Sequence, residues 1–230
     1  MRELVIVCSG VAEGSGPDRL IGWQDNPLSE EGKRQARQAG RILRENGYRF
    51  DLAYTSILRR GIESLWEILS EMNLFWIKEN KSWRLNGRYY GQLEGMNYEE
   101  IIRSYGEEQF ERWMKSYQEW VPPVQLDDPR HPSHDPRYSD LIPEEMPLGE
   151  NLLETFSRVY PHWDNKIAPM VRIGRKVLVV GHQNSIRAIM TMIEGLEADQ
   201  VFDLEISPEY PLVYTLDSKM KFVSKEVLKG

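Results

Sequence analysis

The sequence predicts an α/β fold of three layers, with a mostly parallel sheet flanked by helices. Three observations predict it. Short apolar, β-branched runs occur at Leu4–Cys8, Leu52–Ser56 and Arg175–Gly181, and each stops at glycine or serine. A stretch with helical spacing comes after each run, and strand–helix–strand units build parallel sheets with right-handed crossovers. The third run is continuously Val and Leu from Val177 to Val180, the pattern of a strand covered on both faces.

Taken in order, Leu4–Cys8 reads as a buried strand ended by Ser9-Gly10, and a loop rich in Gly and Ser follows through Gly16-Pro17. Ser29-Glu30-Glu31 opens a helix with acidic residues in its first turn, and Gly47 ends it. Ala36, Ala39, Ile42 and Leu43 give that helix one apolar face. Leu52 to Ser56 is a second strand, followed by a helix over about 58–72. Residues 121–150 carry Pro122, Pro123, Pro129, Pro132, Pro136, Pro143 and Pro147; this is an irregular excursion of the length that serves as a lid or insertion. After the strand at 175–181, His182 sits at the turn and a helix spans Ser185 to Ile193. No linker divides the 230 residues, so the organisation is one domain over 1–230 with a single sizeable core.

The formal charge of -7, with both signs mixed along the chain, excludes a general nucleic-acid binder, which needs a basic face. Cys8 is the only cysteine, so neither an intrachain disulfide nor an all-cysteine metal site can form, as suits a reducing compartment. The first apolar segment, about five residues long, is too short for a signal peptide or a membrane span. The expectation is a cytoplasmic protein with no metal, no cofactor and no membrane or nucleic-acid partner.

Parallel sheets bind ligands outside the carboxyl ends of their strands. Ser9, Thr55-Ser56 and His182 all fall at such ends and share one crevice in this reading. His182 is either a proton carrier there or a structural cap on the helix behind it. Ser9 is either a nucleophile activated by His182, with no evident acid to orient the imidazole, or a small residue filling space. Cys8 is a second candidate nucleophile, against the commoner outcome of a buried thiol. Glu13, in the loop over the crevice, is a candidate carboxylate.

Several stretches together identify a resemblance. They are Arg19-Leu-Ile-Gly-Trp23 with Pro27-Leu-Ser-Glu-Glu-Gly32, Tyr54-Thr-Ser-Ile-Leu-Arg-Arg60, and Trp83-Arg-Leu-Asn86 with Arg88-Tyr-Tyr-Gly91. Tyr105-Gly-Glu-Glu108, Asp128-Pro-Arg-His131, Asp135-Pro-Arg-Tyr138, Gly181-His-Gln-Asn-Ser185 and Pro211-Leu-Val-Tyr214 complete them. In this order and spacing, from about residue 3 to 226, the chain resembles the cofactor-dependent phosphoglycerate mutases of the histidine phosphatase superfamily. The resemblance implies a phosphoglycerate-mutase-like sheet flanked by helices and commonly a dimer or tetramer, with a homodimer the leading expectation.

Mutase chemistry needs a nucleophilic imidazole to hold the phosphoryl group, converging cations and a carboxylate for proton transfer. Where the family places Arg-His-Gly after the first strand, this chain has Cys8-Ser9-Gly10. The family's glutamate is Gly87, the histidine of the same stretch is Tyr89, and an expected lysine is Tyr98. An arginine pair is Met114 and Lys115, and the small residue after the second histidine is Gln183. Gly22, Arg60, Arg88, Tyr90, His182 and Asn184 are retained. Each lost charge-assisted hydrogen bond is worth about 1.5–3 kcal/mol, so a doubly phosphorylated cofactor loses its purchase.

The resemblance therefore implies a site with mutase chemistry gone. Its catalytic candidates are His182 and Ser9, and its substrate-binding candidates are Arg60, Arg88, Tyr90, Tyr98, Gly22, Asn184 and Cys8. The leading expectation is a protein repurposed to bind and transform a small anionic, less charged metabolite outside glycolysis, with Arg60 and Arg88 on its anionic group and His182 moving a proton. The alternatives are a non-catalytic pseudoenzyme and residual phosphoglycerate mutase or phosphatase activity. A cleft collapsed onto Tyr89 and Tyr98 favours the pseudoenzyme; an open one favours a ligand.

Overall fold

The computed structural model describes residues 1–16 and 18–230; Pro17, the end of the first Gly- and Ser-rich loop, lies outside the described residues. Six strands form one sheet: β1 Arg2–Cys8, β2 Leu52–Thr55, β3 Lys78–Lys81, β4 Val177–Gly181, β5 Leu212–Leu216 and β6 Phe222–Val227. Their order is β3-β2-β4-β1-β5-β6. The pairs β3–β2, β2–β4 and β4–β1 are parallel, whereas β1–β5 and β5–β6 are antiparallel. The parallel half is the one the sequence patterns announce. The antiparallel end closes as a hairpin, which needs no crossover helix.

Alternation along each strand builds the three layers. Leu4, Ile6, Val177 and Val179 enter one core beneath α5 (Leu152–His162), α6 (Ala168–Arg172) and α7 (Gln183–Glu194). Val5, Val7, Leu178 and Val180 enter the other, beneath α1 (Glu30–Glu45) and α2 (Arg59–Glu71). Both faces are dry, and this is why β1 and β4 read as unbroken apolar runs. Ser29 caps α1 by accepting from the Gly32 N–H, with Glu30 and Glu31 in the first turn. Helices α3 (Tyr98–Tyr105) and α4 (Glu107–Lys115) form a small layer at the carboxyl end of the sheet.

Residues 121–150 hold three one-turn 3-10 segments, at 132–134, 136–138 and 143–145. They form a packed cover: Val124 and Tyr138 are buried against Trp23, Leu58 and Tyr89, and Tyr138 stacks on Trp23 at 5.1 Å between ring centres. No helix among the described residues is long and apolar enough to cross a membrane.

Candidate active site

Register assembles the site. Cys8 pairs with Gly181 and Thr55 with Val180, so the chain leaves β1, β2 and β4 at the same level. The next residues are Ser9, Ser56 and His182. A main-chain bond from the Ser9 N–H to the Gly181 carbonyl, 2.8 Å, holds the first against the third.

His182 is buried, with a serine hydroxyl on each ring nitrogen: Ser9 Oγ at 3.0 Å from Nδ1 and Ser56 Oγ at 2.8 Å from Nε2. Burial, then the charges of Arg60 and Arg158, hold its pKa well below the usual histidine value, so the ring is neutral near pH 7. With the proton on Nε2, that nitrogen donates to Ser56 and Nδ1 accepts from the Ser9 hydroxyl. This is the contact a serine nucleophile and its base require, with a neutral hydroxyl orienting the ring where a carboxylate serves in the familiar triad. Ser185 Oγ fixes the start of α7 by accepting from the His182 N–H at 3.0 Å.

A cleft of about 500 Å³ opens in front of this pair, lined among others by Cys8, Ser9, Arg19, Gly22, Arg60, Gly87, Arg88, Tyr90, Tyr98, His182, Gln183 and Asn184. Arg60 donates from Nη1 to the Gln24 carbonyl at 2.7 Å and from Nη2 to the Gly22 carbonyl at 2.5 Å. Arg88 donates to the carbonyls of Glu150 (2.7 Å), Trp113 (2.8 Å) and Glu119 (3.4 Å), and its guanidinium lies 5.2 Å from the centre of the Tyr90 ring. A guanidinium has five N–H donors; these bonds lock both side chains and leave part of each fork unspent.

The wall behind Arg60 is built on Glu94. Its buried carboxyl accepts from the main-chain N–H groups of Trp23 and Tyr90, at 2.9 and 2.8 Å. Burial pushes its pKa up to about 8 against the pull of those donors and of Arg60. Gly22 has φ +51°, and a Cβ there would overlap the Glu94 carboxylate, so only glycine fits between that acid and the cleft.

The family model for the histidine phosphatase superfamily (branch 1) matches residues 4–220. The chain belongs to the histidine phosphatase superfamily. Its structure is similar to a mycobacterial glucosyl-3-phosphoglycerate phosphatase, with TM-score 0.71 and 19% identity over 98% of this chain and 96% of the other. It is also similar to the alpha-ribazole phosphatase of Shigella flexneri, with TM-score 0.74 and 17% identity over 99% and 96%. A third similar structure, YhfR of Bacillus stearothermophilus, has TM-score 0.71 and 18% identity over 96% and 94%. At these identities the likeness is one of fold.

In this histidine phosphatase superfamily member the cleft is lined by the two catalytic candidates, Ser9 and His182, and by all seven substrate-binding candidates. Cys8 lines it as a thiol that burial pushes up to about 12, which leaves almost no thiolate at neutral pH. Gly87 stands beside the imidazole: a Cβ there would lie 3.5 Å from His182 Cβ and 3.9 Å from Arg60 Nη2, the place where the resemblance puts a carboxylate. Tyr98 forms cleft wall and packs on Phe110 at 4.8 Å. Met114 joins the same apolar cluster, while Lys115 pairs with Glu111 at the surface.

Tyr89 departs from the sequence reading. It is buried away from the cleft, 5.3 Å from Trp23 between ring centres, with its hydroxyl on the Arg130 carbonyl; the apolar cover over 121–150 captures the ring. Glu13 is exposed and is not part of the cleft lining.

Other polar groups around the cleft carry no mark in the sequence pattern. The sequence marks Ser56 only as a strand-end residue, and its bond to His182 depends on strand register. Arg158 and Glu150 form a buried ion pair, Nε to Oε1 2.5 Å. Arg158 also donates to the carbonyls of Arg84, Asn86 and Gly87, so the pair shapes the 84–90 stretch that carries Arg88 and Tyr90. Asn151 caps α5 by accepting from the Glu154 N–H; that polar start to a helix was the one local signal near Glu150.

Proposed function

We propose that this chain has left phosphohistidine mutase chemistry and that its cleft binds and transforms a small organic anion less charged than a bisphosphate, outside glycolysis. The observation that carries this reading is the 3.0 Å contact between Ser9 Oγ and a neutral His182 at the mouth of an open cleft. Ser9 is the nucleophile: its hydroxyl proton passes to Nδ1 as Oγ bonds the electrophilic centre, and the imidazolium returns that proton to the leaving group. The cations Arg19, Arg60 and Arg88 favour an anionic substrate, and the Tyr90 and Tyr98 rings in the same lining favour an apolar portion beside it. The ligand is a small molecule, not nucleic acid or membrane, and the reading includes a homodimer in the cytoplasm, checked by light scattering and fractionation.

A fluorophosphonate probe read by intact mass tests the nucleophile. The expected result is one adduct on Ser9 that is lost in Ser9→Ala and in His182→Ala. Absence of labelling in the wild type overturns the nucleophilic role. Assay of 3-phosphoglycerate with its bisphosphorylated cofactor is expected to give no turnover, and turnover that disappears in His182→Ala overturns the loss of mutase chemistry.

A specific observation favours the pseudoenzyme as second reading: both nitrogens of His182 and most donors of Arg88 are already satisfied within the protein. A retained phosphatase activity stands third, supported by the likeness in fold to two phosphatases, for glucosyl-3-phosphoglycerate and alpha-ribazole phosphate.

A further inference from the structure

The Pro-rich excursion over 121–150 does more than cover Trp23. Its two limbs are joined where the Val124 N–H donates to the Leu148 carbonyl at 2.8 Å. With Trp83, Arg84 and one side of α5 they enclose a second cavity of about 610 Å³. That is the size of a small-molecule pocket, and its lining shares no residue with the cleft. Trp83, Trp120, Val121, Pro123, Met146 and Leu148 make much of its wall apolar.

The charges of this lining do not balance. Arg84 Nη2 lies 3.0 Å from Glu145 Oε1, and Arg158 Nε lies 2.5 Å from Glu150 Oε1, so each arginine is answered by one glutamate. Glu144 and Glu154 line the same cavity and are exposed. Among the described residues neither has a cation within ion-pair distance. Two carboxylates are thus in excess. They are not gathered closely enough to hold a metal ion, since no such cluster exists among the described residues, so a positive charge that answers them has to arrive on a larger, organic body.

Aromatic surface is left over in the same way. The Trp83 ring already carries the Arg84 guanidinium, 4.6 Å from its centre. Trp120 is 55% exposed, and among the described residues no ring or cation lies on it. Indole is the side chain that attracts a cation most strongly to its face. We infer that this cavity binds an organic ammonium ion, a protonated or quaternary amine on an apolar body, with Trp120 against the cation and Glu144 and Glu154 supplying the countercharge. The inference does not depend on what the cleft does with Ser9.

Three probes of similar shape test it: phenethylammonium, neutral phenylethanol and anionic phenylacetate. Each is titrated into isotope-labelled protein at low ionic strength, with the indole N–H signals as readout, assigned by Trp83→Phe and Trp120→Phe. The expected order of affinity is ammonium, alcohol, carboxylate, with the Trp83 and Trp120 signals moving. Trp120→Ala should weaken the ammonium by about two- to fivefold, the scale of one exposed cation–π contact. Glu144→Gln combined with Glu154→Gln should remove most of the ammonium's advantage and leave the alcohol unchanged. These side chains are exposed, and thermal melts confirm that the variants are folded. Phenylacetate that binds as tightly as phenethylammonium overturns the assignment. So do indole signals that stay still in millimolar ammonium, and an ammonium affinity unchanged in both variants. Ser9→Ala should bind all three probes as the wild type does, which keeps this result separate from the reading of the cleft.

Discussion

Ser9 Oγ meets His182 Nδ1 at 3.0 Å because Cys8 and Gly181 are register partners in adjacent parallel strands. The contact is thus built into the sheet and does not depend on a mobile loop. Ring-nitrogen NMR is expected to show His182 neutral at and below pH 6.5, since burial and two arginines disfavour its charged form. Ser9→Ala is expected to lower any turnover of the cleft by about 100-fold or more, the usual scale of a lost proton-transfer partner, while leaving the ring neutral. A ring that titrates near pH 6.5 contradicts the burial argument.

Glu94 gives the fold an unusual pH dependence. Its pKa rises from 4.5 unfolded to about 8 folded, so between those values the native state holds a proton that the unfolded chain releases. Stability therefore falls as pH rises through this window. His162 and His182 act oppositely: their folded values lie below the unfolded 6.5, so their effect continues until the unfolded imidazoles are deprotonated, about one pH unit above 6.5. Urea midpoints from about pH 7.5 to about 8.5, above the histidine window, should decline for the wild type and stay level for Glu94→Gln.

Gly22→Ala places a methyl group at positive φ and into the Glu94 carboxylate. The backbone alone accounts for about 1–3 kcal/mol, and the displaced acid frees the Trp23 and Tyr90 N–H groups. The expected outcome is a clear loss of thermal stability together with weakened ligand binding, because the Gly22 carbonyl also anchors Arg60. A variant as stable as the wild type would show that the turn relaxes without cost.

What could be read from the sequence follows the range of the interactions. β1, β2, β4 and the helices after them are local patterns, and the ends of those strands mark Ser9, Ser56 and His182. β3, Lys78–Lys81, is short, charged and at the sheet edge, so no apolar run marks it. Tyr89 and Tyr98 look alike in sequence, yet one joins Trp23 under the 121–150 cover and the other faces the cleft.

The Glu150–Arg158 pair is the support on which the rest of the site stands. Both side chains are buried, and Glu150 Oε2 also accepts from the Tyr89 N–H (2.8 Å) and from Thr155 Oγ1 (3.1 Å). Its main-chain carbonyl receives Arg88. Glu150→Ala would leave the Arg158 charge buried without its counter-ion, a change that costs about 3–5 kcal/mol. It would also loosen the 84–90 stretch that sets Arg88 and Tyr90 against the cleft. Replacing both partners, as in Glu150→Leu with Arg158→Met, removes the stranded charge and should recover much of the stability. It should not recover phosphate binding, because the carbonyls of Arg84 and Asn86 lose the Arg158 donor and that of Gly87 keeps only Trp23 Nε1. Chemical denaturation and phosphate titration on the two variants check this separation. A double variant that regains both would show that the pair serves stability alone.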